Sequence, residues 1–351
     1  MSKYDVAIYI GRFQPLHNGH LHVLEKCGRI AEHTLVLVGS SDRPRTVKNP
    51  FTYNERAGML LAVEQEMDLN ICPAPLNDFL YREDLWVQEI HDIVQEFVAD
   101  NLPDDEPRIA LVGHFKDSSS EYLRLFPEWD LVEVENYQGV NATDIRESLL
   151  TPDLDFNAWR EGNIAAHVPM EVIRHIEAVS LASDSLTVEE FLRPLSEEKT
   201  FIDKYKKAWE SAPYAPTFVT ADAVILHQNK VLLVERGGMP GKGLLALPGG
   251  FLDQNETLIE CAIREAFEET GIKLNKAWSF SSKVFDLPGR STRGRTITHA
   301  FGFYVPNTEC LPTLSAGDDA ANIKWVPIHA LSSREMYEDH YDILKEIWGY
   351  L

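Results

Sequence analysis

Two groups of side chains have the types and spacing that phosphate chemistry requires. The first is the run Gly11-Arg12-Phe13-Gln14-Pro15-Leu16-His17-Asn18-Gly19-His20, a glycine turn that leads into a helical pattern. The N–H groups and dipole at a helix N-terminus favour phosphate, and both imidazoles can face one such group while Arg12 adds positive charge. Transfer between two bound substrates needs only positioning and charge stabilisation. A helix cap or a metal site is the alternative use of the two histidines.

The second group follows the spacing G-x5-E-x7-R-E-x-x-E-E-x-G and comprises Gly250, Glu256, Arg264, Glu265, Glu268, Glu269 and Gly271. Its last three glutamates lie on one helix face, where each like-charge pair costs ~0.2–0.5 kcal/mol. A hard divalent cation reverses that cost, because carboxylate oxygens are its preferred ligands. We therefore expect Mg²⁺, with Mn²⁺ as the alternative, to bridge diphosphate oxygens and activate water. Pairing of Arg264 with Glu256 would hold the loop against the helix. A solvated acidic helix face is the other interpretation.

The elements that must position these groups differ between the two halves. Apolar runs at 6–10, 34–38 and 109–112 alternate with helical patterns and end at Gly11, Gly39 and Gly113. This alternation predicts an α/β domain with a doubly wound parallel sheet, whose ligands bind at the carboxyl ends of the strands. A hairpin pattern at 223–234 and a helix at 258–270 predict an α+β domain. The predicted domains are 1–151 and 214–351, joined by a helical connector at 152–213.

The N-terminal run resembles the (H/T)-x-G-H signature of the nucleotidylyltransferase superfamily. Residues 49–56, NPFTYNER, resemble the N-P-F-T-x-x-E-R segment of the archaeal-type nicotinamide mononucleotide (NMN) adenylyltransferases, and GHFKD at 113–117 fits the end of their third strand. NATDIR at 141–146 occupies the position of I-S-x-T-x-I-R, with Asn141-Ala142 in place of the usual serine pair. In that family the threonine opens a helix under the ATP phosphates and the arginine neutralises them.

The resemblance implies roles for ten residues of the N-terminal half. The implied catalytic residues are His17, His20, Arg12 and Arg146. The implied ATP- or NMN-binding residues are Gly11, Phe13, Asn49, Arg56, Gly113 and Thr143. Two of these have simpler alternatives: Thr143 would suit a helix N-cap, and Arg56 would suit a solvated helix surface.

The C-terminal pattern is identified as a Nudix box, within a resemblance that covers residues 217–350. It implies Glu265, Glu268 and Glu269 as metal ligands, Glu269 also as a catalytic residue, and a metal contact from the Gly250 carbonyl. Asp318 or Asp319 would supply a later acid or base, or simply form a turn. The segments 237–243 and 285–295 resemble the ADP-ribose branch of the family. Their arginines Arg290, Arg293 and Arg295 would clamp a diphosphate or a ribose, unless they form a flexible basic loop.

Together the halves resemble bacterial fusions of an NMN adenylyltransferase with a Nudix ADP-ribose pyrophosphatase. The expected reactions are NMN plus ATP to NAD plus pyrophosphate, and ADP-ribose to AMP plus ribose 5-phosphate. One alternative is a related transferase that takes phosphopantetheine or a CTP substrate, which the N-P-F-T segment disfavours. Another is a Nudix-like ADP-ribose sensor of a transcription regulator. Intact box acids, and no basic DNA-reading module after Val326, disfavour the sensor.

Composition limits the partners and the compartment. The net charge is −22, so nucleic acid and anionic membranes are not expected to bind. The sequence shows no signal-peptide pattern and no apolar run of the ~18 residues that a membrane span needs. The cysteines Cys27, Cys72, Cys261 and Cys310 show no C-x-x-C spacing, which favours a reducing cytoplasm. The expected partners are ATP, NMN and ADP-ribose, and a homodimer stays open.

Overall fold

The computed structural model describes residues 2–67, 69–102, 106–114, 122–135, 137, 139–306 and 320–349. The chain divides into two compact units, Met1–Glu197 and Glu198–Leu351. Cys310, Asp318, Asp319 and the segment 115–117 of the third strand-end motif lie outside the described residues. No helix in the described ranges is long and apolar enough to cross a bilayer.

The N-terminal unit contains a five-stranded sheet of order β3-β2-β1-β4-β5 in which every pairing is parallel. Its strands are β1 (Tyr4–Gly11), β2 (Ala31–Val38), β3 (Ile71–Pro75), β4 (Ile109–Gly113) and β5 (Asp130–Glu133). The first helices are α1 (Asn18–Ile30), α2 (Tyr53–Met67), α3 (Glu83–Asn101) and α4 (Ala142–Leu149). The predicted doubly wound parallel sheet is confirmed. The strand order reverses between β1 and β4. Ligands of such sheets bind at this switch point.

Both faces of this sheet are buried, which explains why its strands are apolar without interruption. Alternate side chains of β1 enter opposite core clusters: Ala7 and Tyr9 pack on one face, and Val6 and Ile8 on the other. The first cluster includes buried side chains of α1 and α2, and the second includes Ile90 of α3. The packing holds the carboxyl end of β1, and with it the glycine turn, in a fixed position.

The segment predicted as a separate connector contains α5 (Phe156–Arg160), α6 (Met170–Ala182) and α7 (Val188–Ala208). Buried Val172, Ile173 and Ile176 of α6 join the same core cluster as Met59 and Leu60 of α2. The division between the units falls inside α7, so residues 152–197 group with the N-terminal unit. This differs from the predicted boundaries, because the apolar face of α6 is buried against the N-terminal core.

The C-terminal unit has a seven-stranded mixed sheet whose main order is β10-β11-β6-β7-β12. Its strands are β6 (Thr217–His227), β7 (Lys230–Arg236), β8 (Leu245–Ala246), β9 (Gly249–Phe251), β10 (Ser279–Phe285), β11 (Arg295–Tyr304) and β12 (Ala320–Pro327). Helix α8 (Leu258–Thr270) packs on this sheet through Cys261, Ala262 and Ala266. A Thr257–Glu260 capping box begins α8, and Gly271, at φ +75°, ends it. Helix α9 (His340–Trp348) completes the unit, so the predicted α+β architecture is confirmed.

Candidate active sites

A cavity of about 340 Å³ in the N-terminal unit holds both predicted histidines. His17 is the N-cap of α1, and its Nδ1 accepts the N–H of Gly19 at 3.1 Å. His20 Nδ1 accepts the N–H of His17 at 3.3 Å, and the two rings stack with centroids 3.8 Å apart. An amide N–H can only donate, so each neutral ring carries its proton on Nε2. The two histidines that cap α1 therefore also line the cavity.

Positive charge enters the same cavity from two arginines. Arg146 donates to the Gln14 carbonyl oxygen at 2.9 Å and to Thr143 Oγ1 at 3.1 Å. Burial, and then the nearby Arg12, lower the pKa of Arg146 to about 10. Burial also holds the pKa of His20 well below its usual value, with a smaller contribution from His17. The site thus combines two guanidinium cations with imidazole N–H donors, an arrangement suited to a bound polyphosphate.

The departure from the expected serine pair has a structural explanation. Asn141 is the N-cap of α4, and its Oδ1 accepts the N–H of Asp144 at 3.0 Å. Asparagine is as good an N-cap as serine, so α4 can begin at Ala142 without the serine pair. Thr143 is therefore inside α4 and is not its cap. Its hydroxyl instead orients the Arg146 guanidinium.

Glycines and Phe13 shape the floor of the cavity. A Cβ on Gly11 would lie 2.9 Å from the Phe13 ring, and a Cβ on Gly113 would lie 2.8 Å from Leu123. Phe13 itself has φ +51°, in the left-handed region that side chains rarely adopt. Backbone strain of this kind costs ~1–3 kcal/mol and concentrates at functional sites.

Two predicted binding residues, Arg56 and Asn49, do not line this cavity. Arg56 is 1% exposed, and its guanidinium donates to the carbonyl oxygens of Arg12, Gly39, Ser40 and Thr52 at 2.6–3.2 Å. It therefore fixes the loop after β2 and the backbone of Arg12. The N-P-F-T segment is joined to the turn by another residue, since buried Gln14 exchanges two hydrogen bonds with the Phe51 backbone. Sequence reasoning did not identify Gln14, because a glutamine beside proline carries no periodic signal.

A second cavity, of about 440 Å³, lies in the C-terminal unit beside the Nudix-box residues. Arg264 donates to both carboxylate oxygens of Glu256, from Nη2 at 2.7 Å and from Nε at 3.0 Å. Its Nη2 also donates to the Phe251 carbonyl oxygen at 3.2 Å. The predicted clamp between loop and helix is confirmed. The ion pair lowers the pKa of Glu256 to about 2.

Acidic oxygens crowd one end of this cavity. Glu269 Oε2 accepts the N–H of Gly249 at 3.1 Å, yet burial and the nearby Glu265 and Asp222 raise the pKa of Glu269 to about 8. Burial also raises the pKa of Glu265, whose carboxylate lies against Gly250; a Cβ there would be 2.4 Å from its Oε1. Asp222 is buried on β6 and accepts from Thr298 at 2.5 Å. Sequence reasoning missed Asp222, because a single acid in an apolar strand has no spacing signature.

The three box glutamates are not gathered into one cluster. Arg264 Nη1 donates to Glu265 at 2.7 Å and to Glu268 at 2.9 Å, and the Glu268 side chain is 55% exposed and does not line the cavity. Within the described ranges, no three His, Cys, Asp or Glu side chains form a ready metal cluster. The donor chemistry nevertheless fits a hard divalent cation, because carboxylates of like charge are crowded around Gly250.

The three predicted substrate-binding arginines have different surroundings. Arg290 forms a buried two-bond ion pair with Asp339, with both distances 2.8 Å. Arg295 donates to the Asp286 carbonyl oxygen at 2.5 Å and is not part of the cavity wall. Arg293 lines the cavity with its guanidinium 5.3 Å from the Phe251 ring centroid, and its buried Nε has no hydrogen-bond partner among the described residues.

Tyr337, Glu338 and His340 line this cavity, and Asp339 lies between them in sequence; sequence reasoning identified none of the four. Tyr337 packs under the Arg236 guanidinium at 4.1 Å, and Glu338 accepts from the Thr292 backbone and hydroxyl. Asp339 binds Arg290, and His340 accepts the N–H of Leu247. The segment leads into α9 and has no periodic pattern, so its partners could be found only from the fold.

Comparison with known proteins gives each half a class. A Cytidylyltransferase-like family model matches residues 8–148, and a NUDIX domain model matches residues 216–347. The nicotinamide/nicotinic acid mononucleotide adenylyltransferase of Acinetobacter baylyi is 34% identical over 166 residues, which cover 47% of this chain and 85% of that protein. The ADP-ribose pyrophosphatase of Methanocaldococcus jannaschii is 37% identical over 133 residues, 38% of this chain and 74% of that protein. The fold and sites therefore define a nucleotidyltransferase unit and a Nudix unit in one chain.

A solved structure with both units is similar over the whole length. It is a bifunctional NMN adenylyltransferase/ADP ribose pyrophosphatase from Francisella tularensis, complexed with AMP and an Mn ion. It is 34% identical, has a TM-score of 0.85, and the match covers 99% of each chain. The chain belongs to the family of bifunctional NMN adenylyltransferase/ADP-ribose pyrophosphatases.

Proposed function

We propose that this chain makes NAD from NMN and ATP at its N-terminal site and hydrolyses ADP-ribose at its C-terminal site. The observation that carries the first activity is the convergence of two Nε2–H donors and two guanidinium groups on one cavity. The observation that carries the second is a set of buried carboxylates around Gly250, clamped by Arg264. We assign both activities to the cytoplasm, where the free thiols of Cys27, Cys72 and Cys261 would persist.

At the N-terminal site, an NMN phosphate oxygen attacks the α-phosphorus of ATP in line. The new bond joins the two phosphates of the dinucleotide, and the bond to the β-phosphate breaks and releases pyrophosphate. His17 and His20 donate from Nε2 to the phosphate oxygens on which charge develops, while Arg12 and Arg146 offset the charge of the leaving group. Gly11, Phe13, Gly113 and Thr143 shape the binding site, and Arg56 is a positioning residue for the Arg12 backbone.

At the C-terminal site, the residues that would hold a divalent cation are Glu265, Glu268, Glu269 and the Gly250 carbonyl. Mg²⁺ is the cation we propose; when bound, such an ion offsets diphosphate charge and acidifies water. Glu269 accepts a hydrogen bond from the Gly249 N–H and lies in the acidic group with Glu265 and Asp222. Its proposed role is to orient water at the attacked phosphorus. Addition of water across the diphosphate yields AMP and ribose 5-phosphate.

Selectivity for ADP-ribose would come from residues outside the box. Arg293 is the strongest candidate, because its guanidinium stacks on Phe251 and keeps a buried Nε without a partner among the described residues. A guanidinium can donate in a rigid fork to a diphosphate or a ribose hydroxyl. We propose that Arg290 holds the loop that carries Arg293, since its own donors already bind Asp339.

A substrate panel tests this function against its alternatives. The N-terminal site is offered NMN or 4′-phosphopantetheine as acceptor, with ATP or CTP as donor, and NAD is expected as the main product. A preference for phosphopantetheine or CTP would overturn the assignment of the transferase. The C-terminal site is offered ADP-ribose in Mg²⁺ buffer, and stoichiometric binding without turnover would instead indicate a sensor.

A further inference from the structure

His340 is the first residue of α9, and the mechanism proposed above gives it no role. The residue is 8% exposed and lines the hydrolase cavity. Its Nδ1 accepts the backbone N–H of Leu247 at 3.0 Å. Because an amide N–H only donates, Nδ1 carries a lone pair, and the proton of the neutral ring is on Nε2. The fold thus sets the tautomer and leaves Nε2 as a donor.

No described residue receives a hydrogen bond from His340 Nε2. The charged groups around the ring are Asp222, Glu338, Asp339 and Arg290. Of these, Asp339 and Arg290 bind each other, and Glu338 binds Thr292. An N–H inside a protein that lacks a protein acceptor is usually satisfied by water or by a ligand. A cavity wall is where a ligand can reach it.

The position of the ring connects it to the acidic end of the cavity. The N–H of Leu247 orients the ring. Two residues further on, the N–H of Gly249 donates to Glu269. Asp222, Glu265, Glu269 and His340 all line the same cavity. A diphosphate held beside Glu265 and Glu269 would therefore lie close to His340. A neutral N–H can bind a diphosphate oxygen there without the repulsion that another carboxylate would add.

We propose that His340 contacts the substrate of the hydrolase site, with Nε2–H donating to a diphosphate oxygen of a nucleoside diphosphate derivative. The inference rests on the proposed hydrolysis for the identity of the substrate, although the contact itself requires only a diphosphate. The group that recognises the diphosphate is a neutral N–H donor whose direction is fixed, because His340 begins a helix. Asp339 fixes that end through its two hydrogen bonds to Arg290.

Two substitutions separate this contact from a structural role. His340→Asn keeps an oxygen near the position of Nδ1, so the Leu247 N–H can remain bonded, but it removes the Nε2 donor. His340→Gln can extend an amide N–H towards the position of Nε2. We expect kcat/KM for ADP-ribose to fall ~10–100-fold in His340→Asn, as for loss of a hydrogen bond to a charged group, and to recover in part in His340→Gln. NAD synthesis should be unchanged in both.

A matched control is His299→Asn on β11, because that half-buried ring stacks on Phe301 and does not line the cavity. The control should retain wild-type hydrolysis. Equal losses in His340→Asn and His340→Gln together with a lower unfolding temperature, or wild-type kcat/KM in His340→Asn, would overturn the proposal.

Calorimetric titration with ADP tests the contact independently of turnover. Wild-type protein should bind ADP ~10-fold or more tightly than His340→Asn, both in Mg²⁺ and in chelator-treated buffer. Equal affinities would overturn the contact even if ADP-ribose is hydrolysed. If ADP-ribose is not hydrolysed but the affinity difference is present, the proposed substrate is wrong and the contact stands.

Discussion

The Asp339→Ala substitution should destabilise the C-terminal unit, because it leaves the Arg290 guanidinium buried without its partner. The two side chains are 4% and 1% exposed, and two donors of Arg290 each bind one carboxylate oxygen at 2.8 Å. Removing one member of a buried ion pair costs ~3–5 kcal/mol. In urea, where m is ~1–3 kcal/mol per molar, this loss moves the unfolding midpoint by ~1 M or more.

The assay follows the two activities separately after incubation in increasing urea, since a chain with two units need not unfold in one transition. Loss of ADP-ribose hydrolysis should shift to lower urea in Asp339→Ala, while loss of NAD synthesis keeps its wild-type midpoint. The matched variant is Arg290→Met combined with Asp339→Leu, which removes both charges. Replacing a buried pair by apolar residues is often neutral or stabilising, so this double variant should recover the midpoint.

Two results would refute this reasoning. Asp339→Ala with the wild-type midpoint would mean that the pair contributes nothing to stability. A double variant that is as unstable as Asp339→Ala would mean that the unpaired buried charge is not the cause of the loss.

Four further predictions concern the reacting groups and the choice of substrate. His20→Ala removes one preorganised donor and should lower NAD synthesis ~10²–10³-fold, with hydrolysis unchanged; near-wild-type synthesis would contradict its role. Glu269→Gln should abolish Mg²⁺-dependent hydrolysis while NAD synthesis and the fold are retained, and undiminished hydrolysis would exclude it as a metal ligand. In a panel at equal Mg²⁺, ADP-ribose should have a higher kcat/KM than NADH, diadenosine polyphosphates or oxidised nucleoside triphosphates. A competitor preferred ~10-fold, about 1.4 kcal/mol in transition-state binding, would contradict the substrate assignment, and Arg293→Met should reduce the preference for ADP-ribose.

The parts of the fold that the sequence predicted correctly have strong local signals. Apolar strands such as Val6 to Ile10, each ended by glycine, can be buried on both faces only in a parallel sheet covered by helices. The capped helix α8 carries its start at Thr257 and its stop at Gly271. Motif spacing predicted the clamp between Arg264 and Glu256 because both partners belong to one short segment.

Features that depend on distant partners were beyond sequence reasoning. Arg56 was predicted to bind substrate, but its guanidinium binds four backbone carbonyls that the parallel sheet brings together. The predicted connector belongs partly to the N-terminal core, because only the fold shows that α6 has α2 as its partner. Asp222 and His340 reach the hydrolase cavity from elements 118 positions apart in sequence, and no spacing rule joins them.

The arginine loop shows how packing assigns different roles to similar residues. Arg290, Arg293 and Arg295 are equivalent in sequence as donors of positive charge. In the structure one binds a buried aspartate, one binds a backbone carbonyl, and only Arg293 combines a place on the cavity wall with a buried donor that lacks a described partner. Burial and the positions of Asp339 and Asp286 decide these roles.

The most direct test of the central claim is a single chromatographic time course of the purified 351-residue chain with NMN, ATP, ADP-ribose and Mg²⁺. Two active sites in one chain predict that NAD and pyrophosphate accumulate as NMN and ATP are consumed. They predict at the same time that AMP and ribose 5-phosphate appear in equal amounts from ADP-ribose. Formation of only one of these product pairs, with the other substrates intact, would contradict the account.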